Sequence, residues 1–359
     1  AIVADRDLPP FDRVMMDGYA IRHADLQSGQ RFTVRGEALA GAARKTLSDA
    51  PLTAMAVMTG APRPHGADTV VRIEATQRVG GDLVITKPDS IAHGDFVHRR
   101  GSDKKSGSLL VEVGQTLRSV EIGIAASAGY ADLRVSVRPR LVAIGTGDEM
   151  VPVEVVPEAH QIRRSNAAAV MAALGPLPAQ VSPPVHLNDC VETETHRLEQ
   201  AVSCHDVVII SGAVSKGRLD WIPHALDRIG QCLFHGVAQR PGKPMGVWQT
   251  ESGTVIFALP GNPVSTLVGA HRHLRPWLCK AMGLTFPVQW VGLATDFSNP
   301  SPLTLFCPVR RKADGTAEPV AINNSGDYAA LSCSDGFIEL PDGQNHWTAG
   351  ESVAFYPWI

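Results

Sequence analysis

Charge is sparse and mixed in this chain. Charged residues make up 19% of its 359 positions and leave a formal net charge of -3 at pH 7. So small an imbalance, on the acidic side, argues against nucleic acid or an anionic membrane as the main partner. Cysteine is scarce as well. The six present, Cys190, Cys204, Cys232, Cys279, Cys307 and Cys333, all fall in the second half, and none forms a CxxC pair. That spacing removes zinc-ribbon and thioredoxin-type readings and favours reduced thiols in a cytoplasm over a disulfide framework. No apolar run approaches the roughly 20 residues that span a bilayer. The segment Ala1 to Arg6 has no long apolar core of the kind a signal peptide carries. These absences lead us to expect a soluble, cytoplasmic protein with no membrane or nucleic-acid partner. What is present is a globular balance, 44% hydrophobic, in a chain long enough for two to four domains.

Three textures follow one another. From about Leu8 to Arg138, short β-like runs such as Arg31–Arg35, Ala54–Met58, Thr69–Ile73 and Asp82–Ile85 are broken by Gly and Pro, which predicts antiparallel strands. From about Pro139 to Met282, three apolar runs (Arg140–Ile144, Asp206–Ile210 and Thr254–Ala258) alternate with helical patterns over Ala167–Leu174, Trp221–Ile229 and the stretch after Pro263. Such alternation predicts a parallel sheet covered on both faces. From about Phe286 to Ile359, β segments return at Gly336–Leu340 and Ser352–Phe355, predicting a small β domain. The expected class is therefore multidomain α/β plus β: a central parallel α/β domain, a β-rich N-terminal region and a small C-terminal β domain.

Each of the three apolar runs ends in a turn rich in small residues: Gly145-Thr146-Gly147-Asp148, Ser211-Gly212, and Leu259-Pro260-Gly261-Asn262-Pro263. In open parallel sheets, ligands bind beyond the carboxyl ends of the strands. Glycine there lets backbone N–H groups approach an anion, and the following helix N-terminus adds a favourable dipole. The alternative, tight turns that need glycine for steric reasons alone, stays open. Arg240-Pro241-Gly242-Lys243-Pro244 holds two cations on a stiff backbone, either for a phosphate or as a rigid surface turn. Asp17, Asp148, Glu149 and Asp220 lie at similar turns, where hard oxygen ligands suit magnesium. Asp148 and Asp220 also precede plausible helix starts, so capping is an equal reading for them. His271 and His273 read as surface or packing residues. No GxSxG frames a serine, which argues against a serine hydrolase.

Taken in order, these motifs resemble one family. Leu8-Pro9-Pro10-Phe11-Asp12, Met16-Asp17-Gly18-Tyr19-Ala20, Met58-Thr59-Gly60-Ala61-Pro62 and Arg100-Gly101-Ser102-Asp103 come first. Thr146-Gly147-Asp148-Glu149, Ser165-Asn166, Ser211 to Ser215, Pro241-Gly242-Lys243-Pro244 and Leu259 to Ser265 follow. The series is similar to the molybdopterin molybdenumtransferases of the MoeA type, which include the corresponding domain of gephyrin. The resemblance implies a homodimer, with linking and dimerisation segments at 1–30 and 129–140 and a β-rich domain at 31–128. It implies an α/β molybdopterin-binding domain at 140–282, like molybdopterin adenylyltransferase, and a β domain at 286–359. The implied reaction takes adenylylated molybdopterin and molybdate, inserts molybdenum with the help of Mg2+, and releases AMP. The adenylyltransferase itself is an implied partner.

Carried over by motif, Asp17, Thr59, Asp103, Glu149, Asp189 and Asp220 are the implied catalytic residues, with Glu149 and Asp220 as metal ligands. Thr146, Gly147, Ser211, Gly212, Ser215, Arg240, Lys243, Pro260, Pro263 and Ser265 are implied to bind substrate and phosphate. The chain departs from the family where Ala213 and Lys216 replace a glycine and a valine, where Val14-Met15 replaces Ser-Ala, and where Gly236 and Arg240 replace lysines. It also begins close to the Leu-Pro-Pro-Phe motif, without the helical segment that commonly precedes it, as either a truncation or a natural short form would. Two other functions fit parts of the pattern: a non-catalytic pterin-binding scaffold, and a stand-alone pterin adenylyltransferase.

Overall fold

A computed structural model describes residues 1–214 and 221–359, apart from the Glu192 side chain. The chain divides into two compact units, Ala1–Arg134 and Val135–Ile359.

The first unit is built on a sheet of β1 (Gly18–Ile21), β2 (Arg31–Ala38), β3 (Thr53–Val57), β4 (Thr69–Arg72), β5 (Thr76–Val79) and β6 (Asp82–Ile85), in the order β4-β1-β3-β2-β6-β5. Adjacent residues in its strands enter different cores. Ala20, Met55 and Val70 pack with Leu47 and Val14, whereas Ile21, Ala54 and Val71 pack with Phe32, Leu83 and Ile85. The pairings are antiparallel, as the turn-rich texture predicts, with one exception: β2 and β3 run parallel. Parallel neighbours need a crossover, usually a helix. Here residues 39–52 cross over without one, anchored by the buried Leu47 and a bridge from Thr46 to His65. The Gly and Pro breaks between the runs predict antiparallel neighbours, and this parallel pair is where the structure departs from that expectation. Helix α1 (Ser119–Ser127) closes the unit against the pairing of Ile2–Val3 with Leu109–Val111.

The second unit holds the expected parallel core: β7 (Arg140–Thr146), β8 (Gln180–Val181), β9 (Val185–Leu187), β10 (Val207–Ser211), β11 (Gln231–His235), β12 (Gly246–Gln249) and β13 (Val255–Leu259). β7, β10 and β13 are parallel neighbours in register. Their unbroken apolar runs follow from burial on both faces. Val142, Val208 and Ile256 pack under α3 (Val191–Cys204) and α4 (Ile222–Ile229). Leu141, Val207 and Val255 pack under α2 (Asn166–Leu174) and the helical run from α5 (Pro263–Gly269) to α6 (Arg275–Ala281). Each such side chain contributes about 1.5–3 kcal/mol by leaving water. The sheet is not parallel throughout, because β12 pairs antiparallel with both β13 and β11.

A second sheet follows, from β14 (Gln289–Gly292), β15 (Thr304–Arg311), β16 (Ala317–Pro319), β17 (Gly336–Leu340) and β18 (Ser352–Pro357), in the order β15-β17-β18-β14 with β16 beside β15. Gln239–Arg240 joins its β15 edge. Among the described residues, no helix is long and apolar enough to cross a membrane.

Between α5 and α6 lies a π-helical turn, Ala270–Leu274. The His271 ring donates from Nδ1 to the Leu267 carbonyl and accepts at Nε2 from the Ile359 N–H. The His273 ring donates to Gln239 Oε1. Both are packing residues, and burial holds each ring down to about 4 from the ordinary 6.5. Because folding favours the neutral rings, their stabilisation is complete above about pH 6.5 and is lost as pH falls towards 4. Urea midpoints measured from pH 7.5 down to 4.5 should fall across this window. His273→Gln, which keeps a donor for Gln239, should flatten the fall, and an unchanged slope would assign it to other groups.

Candidate functional site

Three βα turns meet where β7, β10 and β13 end, and one buried amide holds them together. Asn166, the first residue of α2, donates from Nδ2 to Ser211 Oγ at 2.9 Å and to the Gly261 carbonyl at 2.7 Å. Ser211 Oγ lies 3.2 Å from Thr266 Oγ1, which donates to the Pro260 carbonyl at 2.6 Å. Thr146 Oγ1 reaches the Ser211 carbonyl at 3.5 Å. These side chains are buried. Buried polar groups must find partners, so the network fixes the turns relative to one another. Ser211, Pro260 and Thr146 thus belong to the frame under the site, and Ser265 is buried beside Thr266.

Above the frame opens a cavity of about 610 Å³ within the second unit, in the size range of small-molecule sites. Of the expected residues, Thr146, Gly147, Glu149, Asp189, Gly212 and Pro263 line it. Gly147 has φ +129°, and a Cβ there would lie 2.5 Å from a Glu149 carboxylate oxygen. The glycine is what lets Glu149 fold back over the turn. Asp148 caps no helix. The short pairing of Met150–Val151 with Ile162–Arg163 follows instead, and Asp148 Oδ1 accepts the Asp189 N–H at 3.0 Å. Asp148 therefore positions the turn that carries Asp189.

The lining also holds Asn166, named in a motif but given no site role, and three residues outside the motifs: Arg163, Gly326 and Tyr328. Arg163 stands beside the Ser165-Asn166 motif, a signal that was available. Gly326 and Tyr328 come from the C-terminal segment, 180 residues from β7, and no local pattern announces them. Arg240 and Lys243, the cations expected there, are exposed and do not line this cavity. Ser215, Lys216 and Asp220 lie outside the described residues. A wider groove of about 890 Å³ opens at Gln231, Gln249 and Thr250, away from the glycine turns, and lacks their chemistry.

The replacement at Ala213 has a visible consequence. Its φ is +50°, in the left-handed region that glycine occupies freely, and its methyl lines the cavity.

In the first unit, Asp17 Oδ1 accepts both the Thr59 N–H at 2.7 Å and the Thr59 hydroxyl at 2.8 Å. Those two donors hold the carboxyl below the usual carboxylate range, so it stays ionised at neutral pH. Gly18 beside it leaves no room for a Cβ against the Val71 carbonyl, which explains the glycine of that motif. Asp103 is bonded to His98 Nε2 at 2.7 Å, and the Arg13 guanidinium lies 3.2 Å from His98 Nδ1. The hydrogen bond from His98 lowers the Asp103 carboxyl as well. Asp12 binds the Arg63 side chain and the Arg100 N–H, while Asp7 binds the Arg100 side chain and the Ser106 N–H. The Leu-Pro-Pro-Phe-Asp motif thus braces the turn that presents Asp103.

A parallel α/β core with a polar cavity at its strand ends, combined with a β-rich N-terminal unit and a C-terminal sheet, defines a multidomain ligand-binding α/β protein. Comparison with known proteins makes the class specific. The MoeA N-terminal region (domain I and II) matches residues 1–129, a probable molybdopterin binding domain matches 142–280, and the MoeA C-terminal region (domain IV) matches 291–358. A molybdopterin molybdenumtransferase of Synechocystis sp. is 38% identical over 100% of this chain and 91% of its own length. One from Staphylococcus aureus is 32% identical, covering 98% of this chain and 86% of its own. The crystal structure of a molybdopterin biosynthesis moeA protein from Pyrococcus horikoshii superposes with a TM-score of 0.83 at 29% identity, over 100% of this chain and 92% of that one. The chain belongs to the MoeA family.

Two substitutions test the frame. Asn166→Asp replaces the double donor by an acceptor facing the Gly261 carbonyl, and should cost about 1–3 kcal/mol in denaturant unfolding. Unaltered stability would mean that the three turns hold without the amide. Ala213→Gly should relieve the left-handed backbone and raise stability by roughly 0.5–1 kcal/mol. A loss of stability instead would locate the value of Ala213 in its methyl contacts.

Proposed function

We propose that this chain is a molybdopterin molybdenumtransferase, which inserts molybdenum from molybdate into adenylylated molybdopterin and releases AMP. The observation that carries the reading is the cavity where Glu149 and Asp189 face the glycine-rich ends of β7, β10 and β13, in a chain related along its whole length to molybdenumtransferases. That full-length relationship favours the transferase over a stand-alone pterin adenylyltransferase, and the carboxylates in the cavity favour an enzyme over a scaffold.

In this reading the turns at Gly147, Gly212 and Gly261 receive the substrate's phosphates through backbone N–H groups other than those of Gly147 and Gly212, which donate to the Leu187 and Leu259 carbonyls. Arg163 adds a cation at the rim, and Arg240, Lys243 and Ser215 are further phosphate or molybdate contacts. Among the described residues, no group of three or more His, Cys, Asp or Glu side chains gathers on one point. Magnesium commonly needs only one or two carboxylates plus substrate phosphates, and Glu149 and Asp189 supply hard oxygen donors of that kind, with Asp220 as a further ligand. When bound, Mg2+ neutralises charge on the phosphate oxygens as the anhydride breaks. Asp17, Thr59 and Asp103 are further catalytic residues in this reading, Asp17 and Asp103 as ionised carboxylates. The enzyme acts in the cytoplasm as a homodimer, with residues 1–30 and 129–140 as its linking and dimerisation segments, and takes its substrate from a molybdopterin adenylyltransferase.

The test is AMP release from adenylylated molybdopterin with molybdate and magnesium. Glu149→Gln and Asp189→Asn should each slow release by about 10–100-fold, with both variants folded by circular dichroism. Asp220→Asn should behave alike. Release that ignores molybdate, or that all three variants preserve, would sink the assignment.

A further inference from the structure

The cavity has a wall with different chemistry from its floor. Among the described residues that line it, Tyr328 is the one aromatic side chain, and Met150 and Ile162 add apolar surface. Tyr328 is 38% exposed. The loop that carries it is firmly held. Asp327 accepts the Asn323 N–H at 3.1 Å, the Asn323 side-chain amide at 2.8 Å and the Ala330 N–H at 3.3 Å. Asn324 Oδ1 accepts the Gly326 N–H at 2.8 Å. Ser325 ties the loop to the start of α5, its carbonyl accepting the Val264 N–H at 3.1 Å and its hydroxyl accepting from Asn262 Nδ2 at 2.7 Å. A loop held in this way needs little further ordering of its backbone when a ligand lies on the ring it carries. The same tie fixes its position relative to the turn at Gly261, which belongs to the proposed phosphate floor.

We propose that Tyr328 is the stacking platform for a bicyclic, nitrogen-rich ring of the phosphorylated substrate, its phosphates lying over the glycine turns and its ring against the tyrosine. This inference rests on the phosphate-binding reading given above and assigns the ring-recognising residue within it. Flat heteroaromatic rings gain affinity on an aromatic face whatever their edge pattern. Two rings of the substrate have this chemistry, a purine at one end and a pterin at the other.

The experiment is calorimetric titration of the full chain with AMP, ribose 5-phosphate and 6-hydroxymethylpterin, in wild type, Tyr328→Ala and Tyr328→Phe. Stacking predicts that Tyr328→Ala weakens one ring ligand by about tenfold. Ribose 5-phosphate should stay within about twofold of wild type, and Tyr328→Phe should retain wild-type affinity. A loss confined to AMP places the purine on the tyrosine, and a loss confined to the pterin places the other end there. Wild-type affinity of Tyr328→Ala for both rings overturns the inference while leaving the phosphate reading intact. So does an equal loss for ribose 5-phosphate, or a Tyr328→Phe that behaves like the alanine. If wild type binds neither AMP nor ribose 5-phosphate, the phosphate reading fails and the stacking assignment fails with it.

Discussion

The site depends on one buried carboxamide. Both N–H bonds of Asn166 are used, one on the turn after β10 and one on the turn after β13, while its own backbone opens the helix that follows β7. Three strands held only by ladder hydrogen bonds and apolar packing would leave their terminal turns free to settle separately. A donor shared between two of them, placed on the third, removes that freedom in a region of low dielectric, where an unmet partner is costly. Backbone bonds from Gly147 to the Leu187 carbonyl and from Gly212 to the Leu259 carbonyl add to the same frame.

Acidic residues divide into two kinds on the same logic. Asp7, Asp12 and Asp148 spend their oxygens on backbone N–H groups or arginines and brace neighbouring turns. Glu149 and Asp189 face the cavity, and Asp17 and Asp103 are ionised carboxylates held by short local hydrogen bonds. The motifs are therefore mixtures. In Leu-Pro-Pro-Phe-Asp and Thr-Gly-Asp-Glu, part of the pattern is scaffold that aims the remainder. Ala213 shows the cost of altering such a part: a methyl group sits where the backbone has taken a conformation natural to glycine.

The C-terminal sheet also contributes to the cavity. Its loop at Ser325 is bonded to Asn262 and Val264, which brings Gly326 and Tyr328 to the rim of a site whose floor lies in the α/β core. The floor is polar and rich in glycine, and the wall is aromatic and apolar. A ligand with charged phosphates and a flat ring would meet matching chemistry on both sides.

Much of this was legible along the chain. The runs at Arg140–Ile144, Asp206–Ile210 and Thr254–Ala258 required buried parallel strands, because an unbroken apolar strand is stable only with both faces covered. The glycine-rich turns after them marked the ligand end of the sheet, and the ordered motifs from Leu8 to Ser265 identified the family. Local pattern could not decide how separate segments meet. It predicts antiparallel strands where β2 and β3 run parallel across residues 39–52, leaves Asp148 open between metal ligand and helix cap where it braces the Asp189 turn, and passes over Arg163 and Tyr328 in the cavity lining. Sequence periodicity reports which face of an element leaves water. The partners of a buried amide, the direction of a crossover and the wall of a cavity are set by contacts between residues far apart in the chain, and only the packed structure decides those.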